Sequence, residues 1–189
     1  MESTKIKIID AALSTFVRYG GRKTAMNDIA NAAGVSRQTL YDLFGSKNDI
    51  IGAAIDRHTE LTIDQFHQAL DTSANLAEQL DTYFHETTIR AYELLQTSED
   101  IEDLLSGHNE AGRQAFARAQ KKYAEVVATL LLPYRDEIEK SGLTVEQYSQ
   151  FVVTTAKAFK NSTTQTELAS LLAALKTSIL LAAAPNLVG

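Results

Sequence analysis

The stretch from Thr24 to Lys47 constrains the fold of this chain more than any other part of the sequence. Its first half has apolar residues at helical spacing and ends at Gly34, a residue that can take a positive φ angle. Ser36 follows as the N-cap of a second short helix, and Val35 fills the corner between the two. The pattern predicts a helix-turn-helix, an arrangement that can place its second helix in the major groove of DNA.

The second helix of this motif has a buried side and an exposed side. Leu40, Leu43 and Phe44 recur at three- and four-residue spacing, so we expect them to pack against a core. The leading end and the outward side then hold four residues: Arg37, Gln38, Thr39 and Tyr41. These side chains are the first candidates for contact with DNA.

This part of the sequence resembles the N-terminal DNA-binding domain of the tetracycline-repressor (TetR) family of transcriptional regulators. The resemblance is carried by Ile29-Ala30, Ala33-Gly34-Val35-Ser36, Thr39-Leu40-Tyr41, Phe44 and Lys47. It extends back through Ala11-Ala12, Phe16 and Gly20 and forward to about Ile51. The chain departs from the family pattern at Gly21, where an aromatic residue is frequent, and at Asn48, where the family has glutamate. Neither position lies on the expected DNA face.

The composition of the 189-residue chain excludes several classes of site. There is no cysteine, which rules out disulfides, thiolate nucleophiles and cysteine-ligated zinc. The first residues lack the apolar core of a signal peptide, and no run approaches the roughly 18 apolar residues of a membrane span. These features predict a cytoplasmic protein.

The charge is distributed unevenly along the chain. The net charge is −6, but residues 1–50 carry seven Lys and Arg against five Asp and Glu, which gives +2, and the remainder carries −8. An acidic remainder would be repelled by DNA, so the balance is compatible with DNA binding by the N-terminal part.

Two prolines and no strand-like alternation of β-branched residues indicate an all-α protein of about nine helices. We expect a helix-turn-helix DNA-binding domain over residues 1–46. Residues 47–189 would form a helical domain, for which the resemblance implies effector binding and dimerisation.

Caps and breaks in the sequence place the helix boundaries. In helix 1, which stops at Gly20-Gly21, we expect an inward stripe of five residues: Ile6, Ile9, Leu13, Phe16 and Val17. The predicted N-caps are Ser3 or Thr4 for helix 1, Thr24 for helix 2 and Ser46 for helix 4.

A fifth helix is predicted over residues 76–95, with an inner stripe of Leu76, Leu80, Tyr83, Phe84, Thr87, Ala91 and Leu94. A short acidic helix over residues 98–107 follows. The next helix is expected to kink or end at Pro133, which has no amide proton to donate.

The last two helices have the clearest start signals, because Thr144 with Gln147 and Thr164 with Glu167 have the spacing of capping boxes. Pro185 ends the pair. Both helices are strongly apolar, which suits either a hairpin within one chain or a face that pairs with a second copy as a four-helix bundle. The resemblance favours the homodimer, since the C-terminal helices of the family form its dimer interface.

Contacts with DNA divide into those that hold the backbone and those that recognise bases. Thr24 and Lys47 lie at predicted helix starts, where a hydroxyl and a flexible cation can meet phosphates. The hydroxyls of Thr39 and Tyr41 are predicted to contact the DNA backbone as well. Similar proteins use the tyrosine that corresponds to Tyr41 in this way. Ser36 can combine capping with a phosphate contact, although Thr24 and Ser36 could equally be caps alone.

Arg37 and Gln38 are the candidates for sequence specificity, because their forked or paired polar groups suit the edges of guanine and adenine. The alternatives are that Arg37 is a solvated surface charge and that Tyr41 packs against the core. Asp42 should point sideways or meet a cation. We predict that Gln38→Ala changes the preferred bases, whereas Lys47→Ala weakens binding to all sequences and flattens its salt dependence.

The resemblance implies a small-molecule pocket in the C-terminal domain, whose occupation moves helix 4 and changes the separation of the DNA-binding heads. No ligand motif marks it, so the candidates are inward polar and aromatic residues, most of which we expect to be ordinary core: His58, Thr62, Phe66, Tyr83, Thr87, Tyr92, Phe116, Tyr123, Phe151 and Thr155. Their aromatic share favours an apolar or aromatic effector.

These features together predict a homodimeric repressor of a palindromic DNA operator, released by an effector and without a cofactor. The alternative is a helical ligand-binding or scaffolding dimer with a vestigial DNA-binding head. A metal site is disfavoured because the four histidines have no close ligand spacing: His58, His67, His85 and His108. Enzymatic motifs such as a Gly-rich phosphate loop or a serine elbow are absent from the sequence.

Overall fold

The computed structural model describes residues 2–72, 74–96 and 110–184, and all regular structure in these ranges is helical. The elements in chain order are α1 (Glu2–Tyr19), α2 (Met26–Ala33), α3 (Arg37–Leu43), α4 (Lys47–Ala69), α5 (Leu76–Phe84), a π-helical turn (His85–Ile89), α6 (Arg90–Gln96), α7 (Glu110–Leu131), a 3-10 turn (Leu132–Tyr134), α8 (Arg135–Glu139), α9 (Val145–Phe159) and α10 (Gln165–Ala183). The all-α prediction is confirmed. The acidic helix predicted over 98–107 and the stop at Pro185 lie outside the described residues.

The chain divides into two compact units. The described part of the first unit comes from residues 1–61 and 94–119, and that of the second from 62–93 and 120–189. Helices α4, α6 and α7 therefore contribute residues to both units. The division at residue 46 concerns function and stays a prediction.

The core of the first unit is built around α1, which buries one stripe of residues at four-residue spacing. Ile8, Ala12 and Phe16 on this stripe are fully buried. The prediction that Ile6 and Val17 face inward is wrong, since they are 40% and 39% exposed. Apolar residues occur on more than one side of α1: the stripe through positions 8, 12 and 16 lies in the core, and Ile9, Ala11 and Leu13 pack at its edge.

The second unit has its own core, which draws on every helix that contributes to the unit. Its largest fully buried side chains are Phe66, Leu76, Leu80, Tyr83, Leu131 and Ile138. The helix break at Pro133 is confirmed, because α7 ends at Leu131 and the proline lies in the 3-10 turn that follows. Gly142 closes this region with a φ angle of +84°.

The predicted fifth helix is present, but its middle turn is π-helical. The amide of Arg90 donates to the carbonyl of His85, which is the i to i+5 bond of a π-turn. The extra residue shifts the buried stripe by one position. Thr88 and Tyr92 are buried as a result, whereas Ala91, which was predicted to face inward, is only partly buried.

The start signals of α9 and α10 form hydrogen-bonded caps. The amide of Gln147 donates to Thr144 Oγ1 at 3.2 Å, and the amide of Thr144 donates to Gln147 Oε1 at 2.9 Å, so this capping box is confirmed. Thr164 Oγ1 accepts from the amide of Glu167 at 3.1 Å. The Glu167 carboxylate accepts from the amide of Thr163 at 2.8 Å instead of that of Thr164, so the reciprocal bond is displaced by one residue.

Candidate nucleic-acid interface

Lys47 holds the loop between α1 and α2. Its Nζ donates to the carbonyl oxygens of Gly21 at 2.9 Å, Thr24 at 3.2 Å and Arg22 at 3.4 Å. An ammonium group has three protons, and here all three are directed at the protein. The predicted phosphate contact of Lys47 stays a prediction, and it requires that at least one of these bonds be exchanged on DNA.

Thr24 also stabilises the loop between α1 and α2. Its hydroxyl donates to the carbonyl of Gly20 at 2.7 Å, and the residue is only 2% exposed. The prediction that Thr24 caps α2 is wrong, because the helix begins at Met26 and Ala25 is its N-cap. Alanine has no capping oxygen, so the cap is completed by the carboxylate of Asp28, which accepts from the amide of Ala25 at 2.8 Å. A phosphate contact of the Thr24 hydroxyl stays a prediction, for which the side chain offers little surface.

The N-terminus of the recognition helix α3 is capped as predicted. Gly34 has a φ angle of +60°, and Val35 packs at the edge of the first unit's core. Ser36 Oγ accepts from the amide of Thr39 at 3.0 Å and lies 2.8 Å from the Thr39 hydroxyl. The two hydroxyls therefore form a pair that fixes the first turn of α3.

Three exposed side chains occupy the leading end and outer side of α3: Arg37, Gln38 and Tyr41. Tyr41 is 44% exposed, so the alternative that it packs against the core is wrong. Arg37 makes no hydrogen bond or ion pair with the part of the chain that the structure describes. Its guanidinium is thus available to an external acceptor.

Asp42 orients Gln38. The amide nitrogen of Gln38 donates to Asp42 Oδ1 at 2.7 Å, one helical turn away. We expected Asp42 to point sideways or to meet a cation; of these, the contact with a cation is wrong, because the hydrogen-bond partner of Asp42 is this neutral amide. Gln38 keeps its carbonyl oxygen and one amide proton, which are the acceptor and donor that read the major-groove edge of adenine.

The first unit also has an open groove of about 640 Å³ that was not predicted from the sequence. It runs along the end of α1 and the face of α2, and its charged and amide-bearing lining residues are Arg18, Lys23, Asp28 and Asn31. The Arg18 guanidinium lies 5.1 Å from the centre of the Tyr19 ring, a cation–π contact. A cation in the last turn of α1 and another in the following loop were the signals that could have indicated this groove.

The ten candidate effector residues are scattered in the structure. Five are buried in the second unit: Thr62, Phe66, Tyr83, Thr87 and Tyr92. Three are partly buried: Phe116 in the first unit, and Tyr123 and Thr155 in the second. The expectation that His58 and Phe151 face inward is wrong, because both are exposed, Phe151 by 54%.

Four of these residues lie together inside the second unit. The rings of Phe66 and Tyr83 pack edge to face with centroids 5.8 Å apart, and the Thr87 hydroxyl donates to the carbonyl of Tyr83 at 2.7 Å. Burial raises the pKa of Tyr83, nearby Tyr123 raises it further, and a hydrogen bond with Thr87 opposes both effects. The Tyr83 hydroxyl is therefore neutral at any physiological pH.

The second unit also has an open groove of about 600 Å³, which we call the α5–α10 groove. Its lining is Ala69, Asp81, Thr82, Phe84, His85, Glu86, Ile89, Ala169, Leu172, Ala173 and Lys176. None of the ten predicted effector residues is among them. Contact of those ten residues with a ligand stays a prediction.

Comparisons with known proteins agree with this architecture. The family described as bacterial regulatory proteins, tetR family, matches residues 8–54, which include α2, α3 and the start of α4. The transcriptional activator FasR of Mycolicibacterium smegmatis is 34% identical over 74 residues, which are 39% of this chain and 34% of FasR. The uncharacterized regulator YezE of Bacillus subtilis is 24% identical over 139 residues, which are 71% of this chain and 72% of YezE. The chain thus spans only about a third of the length of FasR.

Solved structures share the fold over nearly the whole chain. A TetR-family regulator from Rhodococcus sp. has a TM-score of 0.70 at 18% identity and covers 97% of this chain and 100% of its own. FadR of Bacillus subtilis, solved in complex with stearoyl-CoA, has a TM-score of 0.61 at 23% identity and covers 95% of this chain and 97% of its own.

The first unit thus contains a helix-turn-helix DNA-binding domain within an all-α protein. Residues 8–54 match the TetR-family model, and the relatives and solved structures described above are regulators that resemble this chain. The chain is therefore similar to transcriptional regulators of the TetR family.

Proposed function

We propose that this protein is a cytoplasmic, homodimeric repressor that binds a palindromic DNA operator and is released from it by a small-molecule effector. The observation that carries the proposal is the exposed leading end of α3. Arg37 and Gln38 project from the first turn of α3, which the Ser36 cap fixes, and Asp42 orients Gln38. Base recognition requires rigid support of this kind, because it positions the side chains that enter the major groove.

Homodimerisation is supported by an apolar face that α9 and α10 leave exposed. On α10, Leu181 is 54% exposed and lies on one stripe with Ala174 and Ser178. On α9, Phe151 is also 54% exposed and stacks on Tyr148, whose hydroxyl donates to the carbonyl of Ser178 at 3.2 Å. Because this bond ties Tyr148 to α10, Phe151 and the exposed stripe belong to one face of the helix pair. A second copy of the same face would complete a four-helix bundle.

The apolar composition of α10 has a second possible explanation, a membrane span. This helix, Gln165–Ala183, is long and apolar enough to cross a membrane by length and composition. Its inner side packs into the core of the second unit through Leu168, Leu172, Leu175, Ile179 and Ala183. The apolar composition of α10 is explained if its inner side packs in the core and its outer side joins the second copy. This explanation is consistent with a cytoplasmic protein.

The dimer would give the DNA-binding heads their specificity. One recognition helix covers only a few base pairs, whereas specific complexes bury about 1,000 Å² or more of protein surface. A two-fold dimer reads two inverted half-sites about 34–36 Å apart, or somewhat more, which requires a palindromic site.

An effector is supported by two features. The second unit has an open groove large enough for a small molecule, since ligand sites typically measure about 300–1,000 Å³. FadR, which shares the fold, was solved with stearoyl-CoA. Release from DNA follows if the effector and the operator favour different conformations of the dimer.

Selection of bound duplexes from a random library, followed by fluorescence anisotropy, tests the DNA-binding proposal. Wild type should enrich an inverted repeat. Arg37→Ala should weaken binding to that repeat by about 1–3 kcal/mol per half-site, with a smaller effect on random DNA. Arg135→Ala is the matched control, because it removes the same charge from α8 in the second unit. Equal losses for both variants on repeat and random DNA would contradict base recognition by Arg37.

Sedimentation velocity tests the dimer face separately. Leu181→Glu should shift the protein to monomer and abolish cooperative binding to the inverted repeat. Leu132→Glu is the control, because Leu132 is 51% exposed but lies in the 3-10 turn outside α9 and α10. A Leu181→Glu protein that remains dimeric would show that this face does not join the two copies.

A transcription assay with the selected repeat placed in a promoter tests the mode of regulation. A repressor should lower transcription when it is added. Because FasR is named an activator, an increase would correct the proposal on this point.

A further inference from the structure

Glu86 is a buried acidic residue without an established role. It lies in the π-helical turn and is 7% exposed. Its Oε1 lies 3.0 Å from Nδ1 of His85, and its Oε2 has no hydrogen-bond partner. Arg90 Nη1 approaches Oε2 to 3.1 Å, which makes an ion pair without hydrogen-bond geometry. Oε2 is thus compensated by charge but makes no hydrogen bond, so it can still accept a stronger contact from a cationic group.

The surroundings of Glu86 form one wall of the α5–α10 groove. Apolar side chains contribute most of the rest of the lining, among them Phe84, Ile89, Leu172 and Ala173. The groove can therefore accept the apolar body of a ligand of modest size, while a single polar group fixes its orientation.

The charged side chains of the groove differ in where their partners lie, and Glu86, which contacts His85 within the lining, has its ion-pair partner outside it. Lys176 Nζ donates to both carboxylate oxygens of Asp81, at 2.7 and 2.9 Å, so these two charges compensate each other. Glu86 has its cationic partner, Arg90, outside the lining, and the side chain of Arg90 is 49% exposed. Arg90 also has a second acceptor, Gln65 Oε1, at 3.5 Å. The groove thus favours a ligand with one positive charge.

We propose that the α5–α10 groove binds an amphiphilic cation, with its apolar part against Phe84 and Leu172 and its ammonium group against Glu86. The π-turn supports this assignment, because π-turns occur frequently at functional sites and this one places Glu86 in the groove wall. Binding would exchange the exposed Arg90 for the ligand cation as the partner of Oε2. This inference rests on the proposed effector function and gives the effector a chemical class.

Isothermal titration calorimetry of the full chain without DNA tests the proposal with three ligands of equal chain length: decyltrimethylammonium, decanoate and decanol. The ammonium compound should bind at least tenfold more tightly than the other two. Glu86→Gln should remove this preference, because it keeps the shape of the side chain and deletes its charge. Glu93→Gln is the matched control, an exposed glutamate of α6 that does not line the groove.

A second variant tests the same site even if the Glu86→Gln protein fails to fold. Ala173→Trp fills the groove from an exposed position of α10 and leaves Glu86 in place. It should weaken binding of the ammonium compound at least tenfold. Equal or tighter binding of decanoate, or unchanged binding of the ammonium compound by Ala173→Trp or Glu86→Gln, would overturn the proposal.

The regulatory role of the effector is refuted by a different result from the one that refutes the cation site. If the ammonium compound binds with the expected dependence on Glu86 but does not change the affinity for the selected repeat, the cation site stands and its regulatory role is refuted. If the repeat is bound and no ammonium preference is found, only the cation site is refuted.

Discussion

Lys47→Met tests whether the ammonium of Lys47 stabilises the DNA-binding unit or contacts DNA. The substitution keeps an apolar stem and removes the three hydrogen bonds to the loop between α1 and α2, two of which are 2.9 and 3.2 Å long. Hydrogen bonds from charged groups contribute about 1.5–3 kcal/mol each, and partial exposure of Lys47 lowers this figure. We expect a loss of about 2–3 kcal/mol in the stability of this loop.

Hydrogen–deuterium exchange measures this loss directly. A loss of about 2 kcal/mol corresponds to roughly thirtyfold faster exchange, at 1.4 kcal/mol per factor of ten. The amide of Thr24, which donates to Gly20 at 3.2 Å, reports on the loop. Lys7→Met is the control, because it removes an equal charge from an exposed position of α1.

The salt dependence of DNA binding distinguishes the two roles of Lys47. A lysine that neutralises a phosphate contributes about 0.9 to the slope of log K against log salt. If Lys47 is committed to the loop, Lys47→Met should weaken binding with little change of slope, in contrast to the flattening expected from the sequence alone. Unchanged exchange together with a slope reduced by about 0.9 per head would refute the structural role.

Three further predictions concern other sites. Asp42→Ala should raise affinity for random DNA and, by releasing Gln38, reduce the preference for the selected repeat severalfold, as measured by anisotropy. Burial, with Lys157 as the lesser cause, lowers the pKa of Lys160 to about 8 from its ordinary value of 10.5. The folded chain thus binds fewer protons than the unfolded chain between these values, and stability should rise with pH across this window. In denaturant unfolding, Lys160→Met should therefore be more stable than wild type at pH 7 by about 1–3 kcal/mol, with a smaller difference at pH 10, whereas Lys157→Met should lack this pH dependence. Thr144→Ala should cost about 1 kcal/mol by the same method, and no loss would contradict its role as a cap.

The helix-turn-helix could be predicted from the sequence because its determinants are local. Gly34, Ser36 and Leu40 act within one or two turns of their own position, and the structure bears out each of them. The same holds for the cap at Thr144 and the break at Pro133. Short-range backbone geometry and helical periodicity suffice for such features.

The roles of Lys47, Thr24 and Glu86 could not be predicted in this way. Lys47 donates hydrogen bonds to residues more than twenty positions away, so its partners depend on how α4 packs against the loop between α1 and α2. Thr24 has the residue type of a cap, but Asp28 satisfies the helix end through Ala25. Glu86 is buried by a π-turn, which breaks the 3.6-residue periodicity that a sequence argument assumes.

Hydroxyl-radical footprinting on the selected duplex tests the central claim most directly, namely that two α3 helices read one operator. We predict two protected patches related by inverted symmetry on one face of the duplex, about 34–36 Å or somewhat more apart, and both lost together in Leu181→Glu. A single patch, or protection that does not depend on sequence, would contradict the account.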